Sequence, residues 1–230
     1  MMTASHTNQI IFATIFVGLA TIALFNIYPL LDIEITSYFA LGNRRFVFLD
    51  ISIIEQLRSL TMGIYVSWYA AIIFALIVSM TRKMKIAGFA ARDWFYVVMC
   101  SAIGPAILAN LVFKTYSGRA RPRNIEEFGG IFDFTPVANW SSECSDNCSF
   151  VSGEVSSMVM LFAPLIFICT KRRWILVAAM FIFGGLSSLM RIGQGGHFTS
   201  DCIMAGVFMV LTAAILYKIF YPSRMMPSTP

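Results

Sequence analysis

Three long stretches of this chain carry no charged side chain: Met1 to Leu31, Ser59 to Thr81, and Trp94 to Phe113. Shorter uncharged runs follow at Val155–Thr170, Trp174–Met190 and Cys202–Tyr217. A helix that crosses the hydrocarbon core of a bilayer needs about 20 apolar residues, and basic side chains at its ends can snorkel to water. Runs of this kind predict six transmembrane helices. The chain is 13% charged and 58% hydrophobic, whereas an ordinary soluble domain is about 25% charged. That leaves too little polar surface for a water-exposed fold, and the large apolar content excludes a disordered chain. A β-barrel would show many segments of about 10 residues with alternating polarity, and none is visible. The predicted fold class is all-α, a polytopic membrane protein.

The first run also invites comparison with a signal peptide. Its flank from Met1 to Gln9 has no Lys or Arg, and no small-x-small cleavage pattern closes it. It is read as a retained helix. No linker, low-complexity tract or short repeat divides the sequence, so residues 1–230 are expected to form a single domain.

Charge bias sets the expected orientation. Arg82, Lys83, Lys85, Arg92, Lys171, Arg172, Arg173, Lys218 and Arg224 fall on one side of the predicted spans, nine of the 17 Lys and Arg. The other side holds eight, of which Lys114, Arg121 and Arg191 are assigned below to a ligand. Setting those three aside places the Arg82 and Arg172 loops, and both termini, in the cytoplasm. Eleven of the 12 acidic residues, all except Asp93, lie on the external side. The net charge of +5 is therefore a cytoplasmic bias rather than a basic surface for nucleic acid; no nucleic-acid partner is expected.

Cys100, Cys169 and Cys202 lie in or beside apolar runs, where a thiol behaves as a small hydrophobe. Cys144 and Cys148 share a polar loop on the external side. They are a candidate disulfide in an oxidising compartment. A zinc pair is the rival, but it lacks further ligands nearby.

Charged and polar residues gather at three places, each at the external end of a predicted span. They are Lys114 to Pro122, including Arg121; Ser149 to Glu154, including Ser152 and Gly153; and Arg191 to Asp201, including His197. Such residues are costly near a bilayer, about 2.5–3.5 kcal/mol each at a helix centre, and their common side lets the three loops converge. Lys114, Arg121 and Arg191 supply positive charge for a phosphate monoester. Ser152 and Gly153 at a helix start offer a hydroxyl and free backbone amides. Asp201 follows His197 by four residues and would share its helix face if the sixth helix has begun there, fixing the imidazole tautomer and leaving one nitrogen as nucleophile or base.

The pattern Lys-x6-Arg-Pro, Ser-Gly, Arg-x5-His-x3-Asp resembles the three-part signature of the type 2 phosphatidic acid phosphatases. The likeness extends over six spans, with its motif core at residues 114–201. It implies that His197 attacks phosphorus and becomes a phosphohistidine, oriented by Asp201. It also implies that Lys114, Arg121, Ser152, Gly153 and Arg191 hold the phosphate oxygens, and that no metal or other cofactor is required. Two positions depart from the family pattern. Met190 stands where a serine is usual. Glu154 stands where a histidine normally protonates the leaving alcohol; a carboxylic acid can do this if burial favours its neutral form, and the alternative is a simple helix-end charge.

The runs around Ser152 and His197 resemble the branch of bacterial lipid A phosphatases, especially the 1-phosphatases. That implies a site on the periplasmic face of the inner membrane and a membrane lipid phosphate as partner. Phosphatidylglycerophosphate, phosphatidic acid and undecaprenyl pyrophosphate are alternative substrates. The apolar stripe in residues 50–58 predicts either an interfacial lipid entrance or packing against the second span. From other classes, a transporter would place its ionisable groups near the midplane, and a phosphate-lipid binder is motivated by Glu154 alone.

Overall fold

The computed structural model describes residues 2–169 and 171–222. It is 70% helical with almost no strand. The chain is a polytopic, all-α protein. Among the described residues, five helices are long and apolar enough to cross a membrane: α1 (Ala4–Ile27), α3 (Ser52–Thr81), α4 (Ala91–Tyr116), α6 (Arg173–Gly193) and α7 (Thr199–Phe220). A short helix α2 (Leu30–Ser37) follows α1 after the Tyr28-Pro29 break. The small hairpin β1 (Ala40–Gly42) and β2 (Arg45–Phe46) then leads into α3.

The fourth expected span is the shorter helix α5 (Gly153–Ile168), 16 residues long. At 1.5 Å per residue that is about 24 Å, short of a hydrocarbon core of about 30 Å. Its position explains the length. Val155, Met160, Ala163 and Phe167 are all buried, as α5 packs against α4, α6 and α7. A helix surrounded by protein need not match the lipid. The outer helices behave oppositely: Phe12, Phe16 and Phe181 are 71%, 72% and 71% exposed, which suits lipid tails and not water.

The middle of α4, Ala102–Phe113, is wound as a π-helix with Pro105 inside it. Proline has no amide proton and its ring crowds the preceding turn, so a wider coil relieves both defects. Asn110 Nδ2 donates to the Pro105 carbonyl at 2.7 Å and closes this stretch. Close packing continues at Gly104, where a Cβ would fall 2.4 Å from Met160 Cε and 2.7 Å from Met209 Sδ.

Residues 52–58 are not a separate interfacial helix. They form the first turns of α3, which carries Glu55 and Arg58 to the end of the bundle that holds the sequence motifs. The helices α4 and α6 finish at that end, while α5 and α7 begin there. The basic connections at Arg82–Arg92 and Lys171–Arg173 lie at the opposite end, with the start of α1. There Met2 N donates to the Phe167 carbonyl at 3.2 Å and to Tyr217 Oη at 3.0 Å. Arg224 lies outside the described residues.

A second, smaller core sits over the motif end. Phe46, Ala120, Ile125, Phe128 and Phe198 pack together there, joining the hairpin to the loop between α4 and α5. Phe48 N also donates to the Gly193 carbonyl at 2.9 Å. These contacts press the loops onto the helix ends from which the site is built.

Candidate active site

The end of α4 supplies Lys114 and the start of α5 supplies Ser152, Gly153 and Glu154. The lysine reaches across to the glycine: a Cβ at Gly153 would lie 2.9 Å from Lys114 Nζ and 2.7 Å from Asn110 Oδ1. Only glycine permits that approach. Ser152 occupies the N-cap position of α5, but its hydroxyl does not cap the helix. Its Oγ is buried without a protein partner.

Arg191 ends α6 and is 4% exposed. Its Nη1 donates to Gln194 Oε1 at 2.6 Å, and Gln194 Nε2 donates to Glu55 Oε1 at 2.7 Å. Its guanidinium lies directly under Gly196, where a Cβ would be 2.5 Å from Nη2. Glu154 Oε1 accepts from Arg58 Nε at 2.9 Å and faces Arg191 Nε at 3.5 Å. Arg191 Nε and Glu154 Oε2 are both buried without a hydrogen-bond partner. An unpaired buried polar group costs about 1–3 kcal/mol, so three such atoms at one place mark a surface suited to a polar ligand.

Arg121 is held from the loop that contains the two external cysteines. Its Nε donates to the Asn147 carbonyl at 2.9 Å and its Nη2 to Asn147 Oδ1 at 2.5 Å. Cys144 and Cys148 are joined as a disulfide that closes this loop around Asn147. Burial, then the nearby charges of Arg191 and Arg123, push the Arg121 guanidinium down to about 10.

His197 lies in the turn before α7 and is 2% exposed. Its Nδ1 sits 2.6 Å from the Ser149 carbonyl oxygen. A carbonyl only accepts, so Nδ1 carries the proton and Nε2 is left with the lone pair. Burial, then the charges of Arg191, Arg121 and Lys114, hold this imidazole well below its ordinary pKa of 6.5. All three cations expected from the sequence thus act on one histidine.

Asp201 does not bond the imidazole directly. The helix α7 begins only at Thr199, after Phe198 at its N-cap, so His197 precedes the helix and the shared face expected from four-residue spacing does not exist. Asp201 Oδ2 instead accepts from Phe198 N at 3.0 Å and from Ser149 Oγ at 2.5 Å. Its influence on His197 passes through Ser149, whose hydroxyl it holds and whose carbonyl holds the ring.

Behind Asp201 lies a buried ion cluster that residue spacing did not reveal. Arg119, 1% exposed, pairs with Asp201 Oδ1 and with Asp32 Oδ2, the latter at 2.9 Å. It also donates to the Thr135 carbonyl at 2.8 Å and to Ser200 Oγ at 2.9 Å. Its guanidinium lies 4.4 Å from the Phe198 ring centroid. Asp32 on α2 accepts from Ser200 N at 3.0 Å and also from the Ser200 hydroxyl. All three guanidinium nitrogens of Arg119 donate within this cluster, so it braces the site. Among the described residues, no three His, Cys, Asp or Glu side chains come together as a metal-binding group.

Residues 95–225 match the PAP2 superfamily. The chain belongs to this family. Among curated relatives, it is 39% identical over 132 residues to a lipid A 4′-phosphatase of Francisella tularensis subsp. novicida, covering 56% of this chain and 59% of the relative. It is 36% identical over 115 residues to a lipid A 4′-phosphatase of Rhizobium leguminosarum, covering 50% and 49%. It is 26% identical over 167 residues to a lipid A 1-phosphatase of Rhizobium etli, covering 71% and 57%. The matches thus span about half to three-fifths of these relatives' lengths. No solved structure matches the chain.

The structure sets Lys114 beside Gly153, Glu154 beside Arg191, and places Arg191, Arg121 and Lys114 where their charges act on His197. Sequence reasoning missed Arg58, Asn110, Asp32, the part played by the Ser149 carbonyl and the bracing role of Arg119.

Proposed function

We propose that this chain is a membrane lipid phosphatase that forms a phosphohistidine on His197. The observation that carries the reading is the buried imidazole of His197, its Nδ1 bound to the Ser149 carbonyl so that Nε2 keeps its lone pair, beside the positive charges of Arg191, Arg121 and Lys114. Nε2 attacks phosphorus, the N–P bond forms, and the bond from phosphorus to the lipid alcohol oxygen breaks. Lys114, Arg121 and Arg191 hold the phosphoryl oxygens and stabilise their developing charge.

Glu154 supplies the proton that the departing alkoxide needs. Its Oε1 is held by Arg58 while its Oε2 has no protein partner, so Oε2 is the oxygen on which this role requires the proton. In the second half-reaction, water attacks phosphorus and gives its proton back to Glu154. The N–P bond then breaks, and inorganic phosphate leaves. The Ser149 carbonyl keeps the imidazole in one tautomer through both steps, braced by Asp201 and, behind it, Arg119.

The substrate we propose is lipid A. Its support is the similarity to named lipid A phosphatases across the motif core. The resemblance of the Ser152 and His197 runs suggested the 1-position, but the relatives at 39% and 36% identity are named for the 4′-position, and we therefore favour 4′. The 1-position is the second reading, since the relative named for it matches over more of this chain, 71% against 56%. The bacterial inner membrane is the proposed location, with cytoplasmic termini and a periplasmic site. The basic turns at the opposite end and a disulfide at the site end support this orientation.

The test is phosphate release from lipid A by purified protein in chelator-treated buffer, with mass spectrometry identifying which phosphate is lost. Loss of the 4′-phosphate is expected, and His197→Ala should abolish it. Release of the 1-phosphate would reverse the positional assignment. No release from any lipid phosphomonoester would overturn the reading.

A further inference from the structure

A groove of about 470 Å³ runs down the membrane-facing flank of the bundle, between α6 and α7, with α1 and α5 forming its remaining walls. We propose that it seats an acyl chain of the lipid whose phosphate reaches His197. The inference rests on the lipid phosphatase reading above and extends it to a binding site for the substrate's hydrocarbon.

The groove begins where the site ends. Ile192 and Thr199 line its mouth; the first adjoins Arg191 and the second lies two residues beyond His197. Val155, the next residue after Glu154, lines the same end. From this mouth it extends to Met180 on α6 and Val210 on α7, about 17 Å at 1.5 Å per residue. Half of a hydrocarbon core of about 30 Å is about 15 Å. The groove therefore reaches as far as one leaflet and starts at the level of the residues that adjoin Arg191, Glu154 and His197 in the chain.

Its walls suit hydrocarbon. Ser188 Oγ donates to the Gly184 carbonyl at 2.8 Å and Thr14 Oγ1 to the Ile10 carbonyl at 2.7 Å, so the hydroxyls of the walls are satisfied within their own helices. Thr199 at the mouth differs: its Oγ1 is buried with no protein partner. That is where the polar end of a lipid chain would lie when its phosphate occupies the cation cluster.

The space comes from missing side chains. A Cβ at Gly185 or Gly206 would meet nothing within 4 Å, and both residues line the groove. By contrast, a Cβ at Gly184 would lie 3.1 Å from Val159. Two of the glycines thus keep a channel open where larger residues would fit without striking protein. A packing contact has no use for such openings, but a chain lying along the helices does.

The experiment has two arms. In the first, Gly206→Leu and Gly185→Leu are each assayed with lipid A and with a synthetic analogue carrying hexanoyl chains. Filling the groove should cut kcat/KM for lipid A by about tenfold or more while leaving the short-chain analogue within about twofold. Equal losses on both substrates, or no loss on either in folded variants, would overturn the proposal. The second arm needs neither variant nor turnover. A lipid A analogue with a mid-chain diazirine is photolysed with the unaltered protein in phosphatidylcholine vesicles. Adducts should map to residues 180–188 and 202–210 and be competed by unlabelled lipid A. Adducts elsewhere, or adducts in the groove that lipid A does not compete, would overturn it, the latter identifying a seat for bulk bilayer lipid. A protein that hydrolyses nothing yet shows competed adducts in the groove would sink the hydrolytic reading and leave the groove standing.

Discussion

Arg119 and Arg121 are two residues apart and do opposite work. Arg119 is sealed among Asp32, Asp201, Ser200 and the Thr135 carbonyl, with an aromatic ring beneath it. Arg121 is partly buried and most of the charged groups acting on it are other cations, Arg191 foremost, with Glu154 as the opposing carboxylate. One guanidinium is neutralised and rigid; the other contributes to a surplus of positive charge. The difference teaches that residue type and proximity to a motif do not decide function here. The partners do. A cation whose carboxylates are already present holds the scaffold, and a cation crowded by its own kind is poised for an anion.

The largest effect that tests this contrast is on folding. Arg119→Ala would leave Asp32 and Asp201 buried and uncompensated, and breaking a buried ion pair costs about 3–5 kcal/mol. Thermal unfolding in detergent should show a severe loss. Arg119→Lys should not restore it, because a single ammonium cannot make the forked contacts of a guanidinium. A wild-type melting curve for Arg119→Ala would break the comparison from the scaffold side.

Next comes the chemistry. Arg121→Ala should melt nearly as wild type while kcat/KM falls about 10²–10³-fold, the loss typical of removing a charge-stabilising donor. If the variant unfolds like Arg119→Ala, the two arginines share a structural role and the contrast fails.

A smaller effect is expected at the disulfide. Opening Cys144–Cys148 with reductant, or by Cys148→Ser, frees the Asn147 loop that holds Arg121. A misplaced positioning residue has a smaller cost than a deleted one, and we expect about a tenfold loss of kcat/KM. An unchanged rate would show that Arg121 is positioned without its Asn147 contacts.

The smallest effect is a shift in pH dependence, and its sign is fixed. Burial and three neighbouring cations hold His197 neutral at pH values below its ordinary pKa of 6.5. The acid limb of kcat/KM should therefore lie below pH 6.5, since activity is lost only when the nucleophile is protonated. Arg121→Ala removes one of those cations, which makes protonation easier and moves the limb to higher pH. A limb unmoved by this substitution, or moved downward, would separate Arg121 from His197.

Much of this architecture was legible in the uncharged runs, because the bilayer imposes a length on any helix facing it. The exception was α5, whose burial among other helices releases it from that constraint. The three charged clusters were legible because costly residues at one membrane face need a common reason. The tautomer-fixing partner of His197 was not, since it is the Ser149 backbone carbonyl and a sequence displays side chains only. Asp201 was found but misplaced by one relay, because in a helix that starts at Thr199 the third residue turns back onto the amide of the N-cap, Phe198. Arg58 and Asp32 come from distant segments, and only the packed bundle brings them to the motif residues. The pairing of Glu154 with Arg58 needed the fold.

The central claim is that His197 Nε2 is the nucleophile. The direct measurement is mass analysis of protein quenched under alkaline conditions during turnover of lipid A, conditions that preserve a phosphohistidine. A single phosphoryl group on His197, absent in His197→Ala together with all phosphate release, is the predicted result. Full activity in His197→Ala, or a phosphoryl group on another residue, would contradict it.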